Sequence, residues 1–154
     1  MFITKWTFGN IDFDDARSLR ELLADSQGIA HENEFDWFDT IAAHLMVLHE
    51  GTLASVARMY PDGDYTRIDK LFCKDEYKQY GYYELMLRLL LFKAQTLAGG
   101  YIVCTVPEGE QGLYQQFGFV ASGEKIKRGN TEFIEYRVPK DGVRWFSMCK
   151  EEHK

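Results

Sequence analysis

The run Ile68-Asp69-Lys70-Leu71-Phe72-Cys73-Lys74-Asp75-Glu76-Tyr77-Lys78-Gln79-Tyr80-Gly81-Tyr82-Tyr83 decides the fold. Ile68 to Cys73 reads as a strand, the polar stretch Lys74 to Tyr80 as a turn, and Gly81 as the start of a helix reaching about Leu97. Leu85, Arg88, Leu89 and Phe92 carry the i, i+3, i+4, i+7 spacing of that helix. Its first turn leaves four backbone N–H groups without partners at the positive end of the helix dipole, where a pyrophosphate fits if the backbone can be approached closely. Gly81 removes a side chain at that point and Lys78 adds a charge. Read plainly, Gly81 only opens the helix and Lys78 is only solvated, and a single glycine does not choose between the two.

Outward from this run, Phe2 to Phe8 reads as a first strand. A helix follows from Asp12, with Ala16, Leu19, Leu22 and Leu23 at helical spacing and Gly28 as its stop. A short helix is expected from about Asn33 to Thr40. Ala43 to His49, Thr52 to Met59 and Tyr65 to Cys73 form an antiparallel meander turning at Glu50-Gly51 and Asp62-Gly63-Asp64. After the long helix, Gly99-Gly100 leads into Tyr101 to Val106, a continuous apolar strand placed parallel to Tyr65–Cys73 by the helix between them. A short helix ends at Phe117-Gly118, and strands Phe119 to Lys127 and Thr131 to Val138 join through Gly129-Asn130. One or two helical turns are expected within 141–154, with Trp145, Phe146 and Met148 in need of cover. These elements predict an α/β (α+β) chain with a mixed, mostly antiparallel sheet.

The same order of elements, together with Lys78-Gln79-Tyr80-Gly81-Tyr82-Tyr83 and Leu113-Tyr114-Gln115-Gln116-Phe117-Gly118-Phe119, resembles the GNAT superfamily of N-acetyltransferases. The first segment is similar to that family's turn of basic or Gln, x, x, Gly, x, Gly or Ala. The second is similar to its Leu-Tyr, Gly-Phe helix and turn. Two positions depart from the pattern: Tyr83 stands where the family has a small residue, and Pro107 where many members carry Asn. The resemblance implies helices on both faces of the sheet, with a parallel pair that splits near its centre, and acetyl-CoA as co-substrate. It implies main-chain contacts to the pantetheine arm from Leu71, Phe72 and Cys73, and a diphosphate held by Lys78, Gln79, Tyr80, Gly81, Tyr82 and Tyr83. It implies Tyr114 as proton donor to the departing thiolate, a task suited to a phenol with pKa of about 10. Asp69 takes the family's place for a carboxylate that accepts the amine's proton, while its plain role is a strand residue paired with Lys70 or Arg67.

His31-Glu32-Asn33-Glu34-Phe35-Asp36-Trp37-Phe38-Asp39 lies where the resemblance implies the border of the acceptor site. Its acids and rings suit an ammonium group. They equally suit an amphipathic helix with Phe35, Phe38 and Ala42 inward and the acids in water.

With 154 residues and no repeat or linker, one domain over 1–154 is expected. The formal charge of −6 and the absence of a basic block disfavour nucleic acid and lean towards a cationic amine. Cys73, Cys104 and Cys149 are odd in number and widely spaced, so neither a disulfide framework nor a zinc site is expected. Cys73 and Cys104 read as buried small residues. His44 and His49 lie five apart in a strand and project to opposite faces, so no shared metal is expected. No signal-peptide core or run of 18 apolar residues occurs, which predicts a cytoplasmic chain without a membrane segment. An acetyl-CoA-dependent N-acetyltransferase leads these expectations. A fold relative that binds CoA or a protein partner without turnover is the alternative, and the aromatic tail around Trp145 and Phe146 motivates a homodimer.

Overall fold

The computed structural model describes residues 1–146. Strand β1 (Phe2–Phe8) pairs antiparallel with β2 (Ala43–His49), and β2 pairs antiparallel with β3 (Thr52–Asp62). Their hairpin turns at Glu50 and Gly51, both at positive φ, which is what a two-residue hairpin matched to strand twist requires. Strand β4 (Tyr65–Cys73) pairs antiparallel with β3 and parallel with β5 (Tyr101–Pro107). Strand β8 (Thr131–Pro139) lies antiparallel to β5 and also carries β6 (Val120–Ala121) and β7 (Ile126–Arg128).

Helices cover both faces. Helix α1 (Asp14–Gln27) closes on Gly28 in the left-handed conformation and packs Ala16 and Leu19 with Phe13 against Met46 and Val56. Helix α3 (Tyr82–Ala94) lies on the opposite face over Leu45, Val47 and Ala57, where most of the apolar core gathers. Its buried stripe is Tyr82, Met86, Leu87, Leu90, Leu91 and Ala94, whereas Phe92 is 69% exposed. The helical period was legible in Leu85, Arg88, Leu89 and Phe92, but the inward face is set one position away. The helix also ends at Ala94, short of Leu97.

Three further expectations change. The helix expected over 33–40 divides into α2 (His31–Glu34) and a 3-10 turn at Trp37–Thr40, with Phe35 extended between them. Glu34 and Asp39 both bind the Arg20 guanidinium. Five residues apart on a continuous helix, their side chains would diverge by about 140°, so the chain breaks to bring both inward. The strand expected over 119–127 is interrupted because its pairing with β8 slips by two residues between Ala121 and Ile126. In the tail, only Lys140–Gly142 forms a 3-10 turn; Trp145 and Phe146 then pack their rings 6.0 and 4.7 Å from that of Phe117. The remainder of that tail, with Met148 and Cys149, lies outside the described residues. A fourth helix, α4 (Gln111–Gln116), precedes Phe117-Gly118 as expected. No helix among the described residues is long and apolar enough to cross a membrane.

Candidate active site

The site begins with a bulge in β4. Opposite β3, Val56 pairs with Phe72 and Arg58 with Asp69, so Lys70 and Leu71 together face Ala57. Lys70 takes φ 58°, an uncommon conformation for a residue with a side chain, and bends the strand. The parallel ladder to β5 consequently ends at Ile68 and Cys104. Beyond it, Asp69–Cys73 and Thr105–Pro107 separate around a slot of about 50 Å³. Asp69, Lys70 and Leu71 wall the slot from β4, Thr105 and Pro107 from β5, and Tyr114 from α4.

The Lys74–Gly81 turn is held from the other face. Tyr77 and Tyr80 pack their rings against His49, whose Nδ1 lies 2.6 Å from the Tyr82 hydroxyl. Gly81 has φ 74° and ψ 26°, and a Cβ built there would meet nothing within 4 Å, so the approach is open. No side chain caps the α3 N-terminus, which leaves its first amides presented at the turn. Lys78 is exposed and pairs with Asp75 at 2.9 Å, while Gln79 and Tyr80 are exposed beside it.

Tyr83 is the departure with a structural consequence. Its hydroxyl accepts a hydrogen bond from the Cys73 N–H at 3.2 Å, so one of the strand amides expected to serve a ligand is already partnered. Burial pushes its phenol up to about 12. With Lys78, Glu110, Leu113 and Tyr114, Tyr83 lines a groove of about 440 Å³ between the turn and α4, and it also borders a wider groove of about 820 Å³. Leu71 and Phe72 line the wider groove, and Cys73 is fully buried.

Tyr114 is 3% exposed and borders both the slot and the 440 Å³ groove. Its ring lies edge-on to Phe119 at 6.0 Å. Burial raises its phenol well above the ordinary value, so it stays a donor through the neutral range. Glu110, one helical turn before Tyr114, lines the slot and both grooves. Although its surface remains accessible, desolvation by the surrounding walls raises its carboxyl, with Lys78 opposing the rise. The i, i+4 spacing from Tyr114 was the signal in the sequence that could have singled it out.

Asp69 borders the slot but is held. Both its oxygens accept 2.8 Å hydrogen bonds from Arg58. Burial alone would raise its carboxyl, yet the Arg58 charge and hydrogen bonds outweigh this and keep it below the ordinary value. That differs from a free base, and also from a surface pair with Lys70 or Arg67. Arg58 reaches Asp36 and Asp39 as well, Arg20 holds Glu34 and Asp39, and Lys70 Nζ lies 3.3 Å from Glu34. The acids of the 31–39 stretch other than Glu32 thus join a buried ionic network. Single-sequence patterning missed it because an arginine in a helix and another in a strand carry no mark of burial. Cys73 and Cys104 are buried thiols raised by desolvation, and His44 and His49 lie on opposite faces of β2, against Phe13 and Tyr82.

The family described as "Acetyltransferase (GNAT) domain" matches residues 30–140. No curated protein matches the chain closely enough in sequence to count as a relative. Among solved structures, an acyl-CoA N-acyltransferase from Pseudomonas aeruginosa superposes with TM-score 0.75 at 19% identity, covering 89% of this chain and 99% of its own. Escherichia coli ElaA gives 0.76 at 14% identity, covering 89% and 99%. The ribosomal-protein-S18-alanine N-acetyltransferase of Escherichia coli gives 0.67 at 12% identity, covering 96% and 97%. At such identities the likeness is one of fold.

Proposed function

We propose, on the premise that this chain belongs to the GNAT acetyltransferase family, that it transfers an acetyl group from acetyl-CoA to an amine by direct attack. The observation that carries this is Tyr114, a buried phenol standing where the slot between β4 and β5 meets the groove beside the α3 N-terminus.

The chain fits the co-substrate at several points. The uncapped amides of α3 and the clear approach at Gly81 suit a diphosphate, with Lys78 free to exchange its exposed Asp75 partner for a phosphate oxygen. Leu71 and Cys73 offer main-chain groups along the groove, the Cys73 N–H once the Tyr83 hydroxyl has left it. Bound there, acetyl-CoA supplies a thioester carbonyl open to attack. A new N–C bond then forms as the C–S bond breaks. Of the protons involved, one leaves the amine and one must reach the departing sulfur. Tyr114 is placed to give the second, its high phenol pKa keeping it protonated. We assign the first to Glu110, whose raised carboxyl makes a better base than an ordinary one. Asp69 then fixes Arg58 and the bulged strand instead of moving a proton. The Cys73 N–H at the end of β4, once released by Tyr83, is our candidate for the polar contact to the carbonyl oxygen.

A second reading, a CoA-binding module without turnover, is favoured by the Tyr83–Cys73 contact and by Pro107. Two measurements separate them. Acetyl-CoA at one hundred times its dissociation constant adds about 2.7 kcal/mol of stability under either reading, and an unmoved melting curve at millimolar ligand removes both. Thiol release over a panel of amines then marks the enzyme. Tyr114→Phe lowers kcat by about 10²-fold or more with the acetyl-CoA Kd unchanged, and an undiminished rate takes the phenol out of the mechanism.

A further inference from the structure

The slot's charges point to one feature of the acceptor. Arg128, the last residue of β7, borders the slot together with Lys70 and Gln27. Its position is fixed by the adjoining turn, where the Asn130 N–H donates to the Gln27 carbonyl at 2.8 Å and Gly129 lies so close to α1 that a Cβ would sit 2.2 Å from that oxygen. Arg20, Arg58 and Arg67 each bind carboxylates. Arg128 binds none among the described residues. Lys70 has only Glu34, at 3.3 Å, and that carboxylate is shared with Arg20. Two cations therefore border a cavity of about 50 Å³ that Asp69, already bound to Arg58, and Glu110 also line. Burial lowers the Lys70 ammonium first of all, Glu34 and Asp69 oppose this, and Arg20 and Arg128 add to the lowering. An anion entering the slot relieves that repulsion.

The rest of the surroundings limits what the anion belongs to. The acids of 31–39 other than Glu32 are taken by Arg20, Arg58 and Lys70. Asp69 is taken by Arg58, which leaves Glu110 as the slot's carboxylate without an ion pair among the described residues. The wider groove outside is bordered by Asp25, Glu76 and Glu108 and also by Lys74 and Lys78, the side on which the donor is read to lie. Positive charge without a carboxylate partner among the described residues stands at the exposed rim of the slot, at Arg128.

We propose that the acceptor is a small amine that also carries a single carboxylate, its amine lying towards Glu110 and Tyr114 and its carboxylate bound by Arg128 with support from Lys70 and Gln27. A guanidinium offers the paired donors that a carboxylate takes. This rests on the transfer reading given above and names its substrate class.

The test uses matched pairs: α-amino acids and the corresponding amino-acid amides, which keep the amine and lose the negative charge. Each pair is measured with wild-type protein and Arg128→Gln, by thiol release and by the melting shift of the CoA-saturated protein, a readout that does not need turnover. In the wild type the acids exceed the amides by about tenfold or more in kcat/KM, the difference lying in KM, and only the acids raise the melting point. In Arg128→Gln the preference collapses towards unity with the acetyl-CoA Kd unchanged. Amides equal to or better than acids overturn the proposal, as does a preference that survives Arg128→Gln. Loss of acetyl-CoA affinity in Arg128→Gln also overturns it, because the arginine would then serve the donor. Acetylation confined to uncharged amines or diamines sinks the carboxylate and keeps the enzyme. A wild-type protein that acetyl-CoA does not stabilise sinks the transfer reading itself.

Discussion

At Tyr83 the molecule places a hydroxyl on an amide that a ligand running along β4 would use. An intramolecular hydrogen bond of this kind is worth about 0.5–1.5 kcal/mol net, so it competes with binding without forbidding it. Tyr83→Phe is expected to tighten the acetyl-CoA Kd by about two- to tenfold in calorimetric titration, and weaker binding would mean that the hydroxyl serves the ligand. The proton-transfer pair makes a separate prediction. Glu110 must be ionised to accept a proton and its carboxyl is raised above the ordinary 4.5. The rate should therefore climb with pH along a limb above that value, and Glu110→Gln should remove the limb and leave the one due to the amine. Tyr114, raised well above 10, contributes no fall below that pH. The short helix and turn that carry Tyr114 were legible from Leu113-Tyr114 and Gly118-Phe119, through their resemblance to the family's helix and turn. The confinement of Asp69 was not, since its partner Arg58 comes from a neighbouring strand.

Among elements, the strand–turn–helix at 68–94 declared itself because each part obeys a local rule: Gly81 takes the positive φ, and a 3.6-residue apolar period follows. The β7–β8 hairpin obeyed one too, through Gly129-Asn130, but what it touches was hidden. Its turn lies against the end of α1 so tightly that Gly129 admits no side chain: a Cβ would stand 2.2 Å from the Gln27 oxygen and 2.7 Å from that of Gly28. Gly129→Ala, also strained at φ 62°, is expected to lift the hairpin from α1 and shift Arg128 and Phe133 at the slot. The melting temperature should fall by several degrees and the acceptor KM should rise, with the acetyl-CoA Kd held. Equal losses in both affinities would show that the hairpin supports the whole cleft. The bulge at Lys70 escaped sequence inspection for a related reason. Nothing in Ile68-Asp69-Lys70-Leu71 announces a positive φ at a lysine; the pairing of β4 with β3 on one side and β5 on the other imposes it.

Over the whole molecule, the acidic balance is partly turned inward. Arg58, 1% exposed, holds Asp36, Asp39 and Asp69, and so ties the 31–39 segment to β3 and β4 beneath the slot. Removing one member of a buried ionic set leaves the others uncompensated, so Arg58→Met is expected to cost about 3–5 kcal/mol in denaturant unfolding. The same network fixes how stability depends on pH. Asp39 and Asp69 lie below the ordinary 3.8 when folded, each raised by burial but lowered further by arginine. Their stabilisation is complete above that value and is lost as pH falls through it. His44 acts earlier. It is fully buried, its Nε2 lies 3.2 Å from the Asp39 carbonyl oxygen and its Nδ1 has no partner, so a second N–H would find no acceptor. Burial accordingly holds its pKa below 6.5, and the unfolded chain takes up a proton that the folded one refuses. Exposed His31, raised chiefly by its hydrogen bond to Asp25, runs the opposite way, but screening keeps a surface pair small. The melting temperature should therefore decline in two stages on acidification, one below pH 6.5 and a steeper one below about 4. His44→Leu should abolish the first stage and retain the second; a first stage that persists in that variant would place the proton uptake elsewhere.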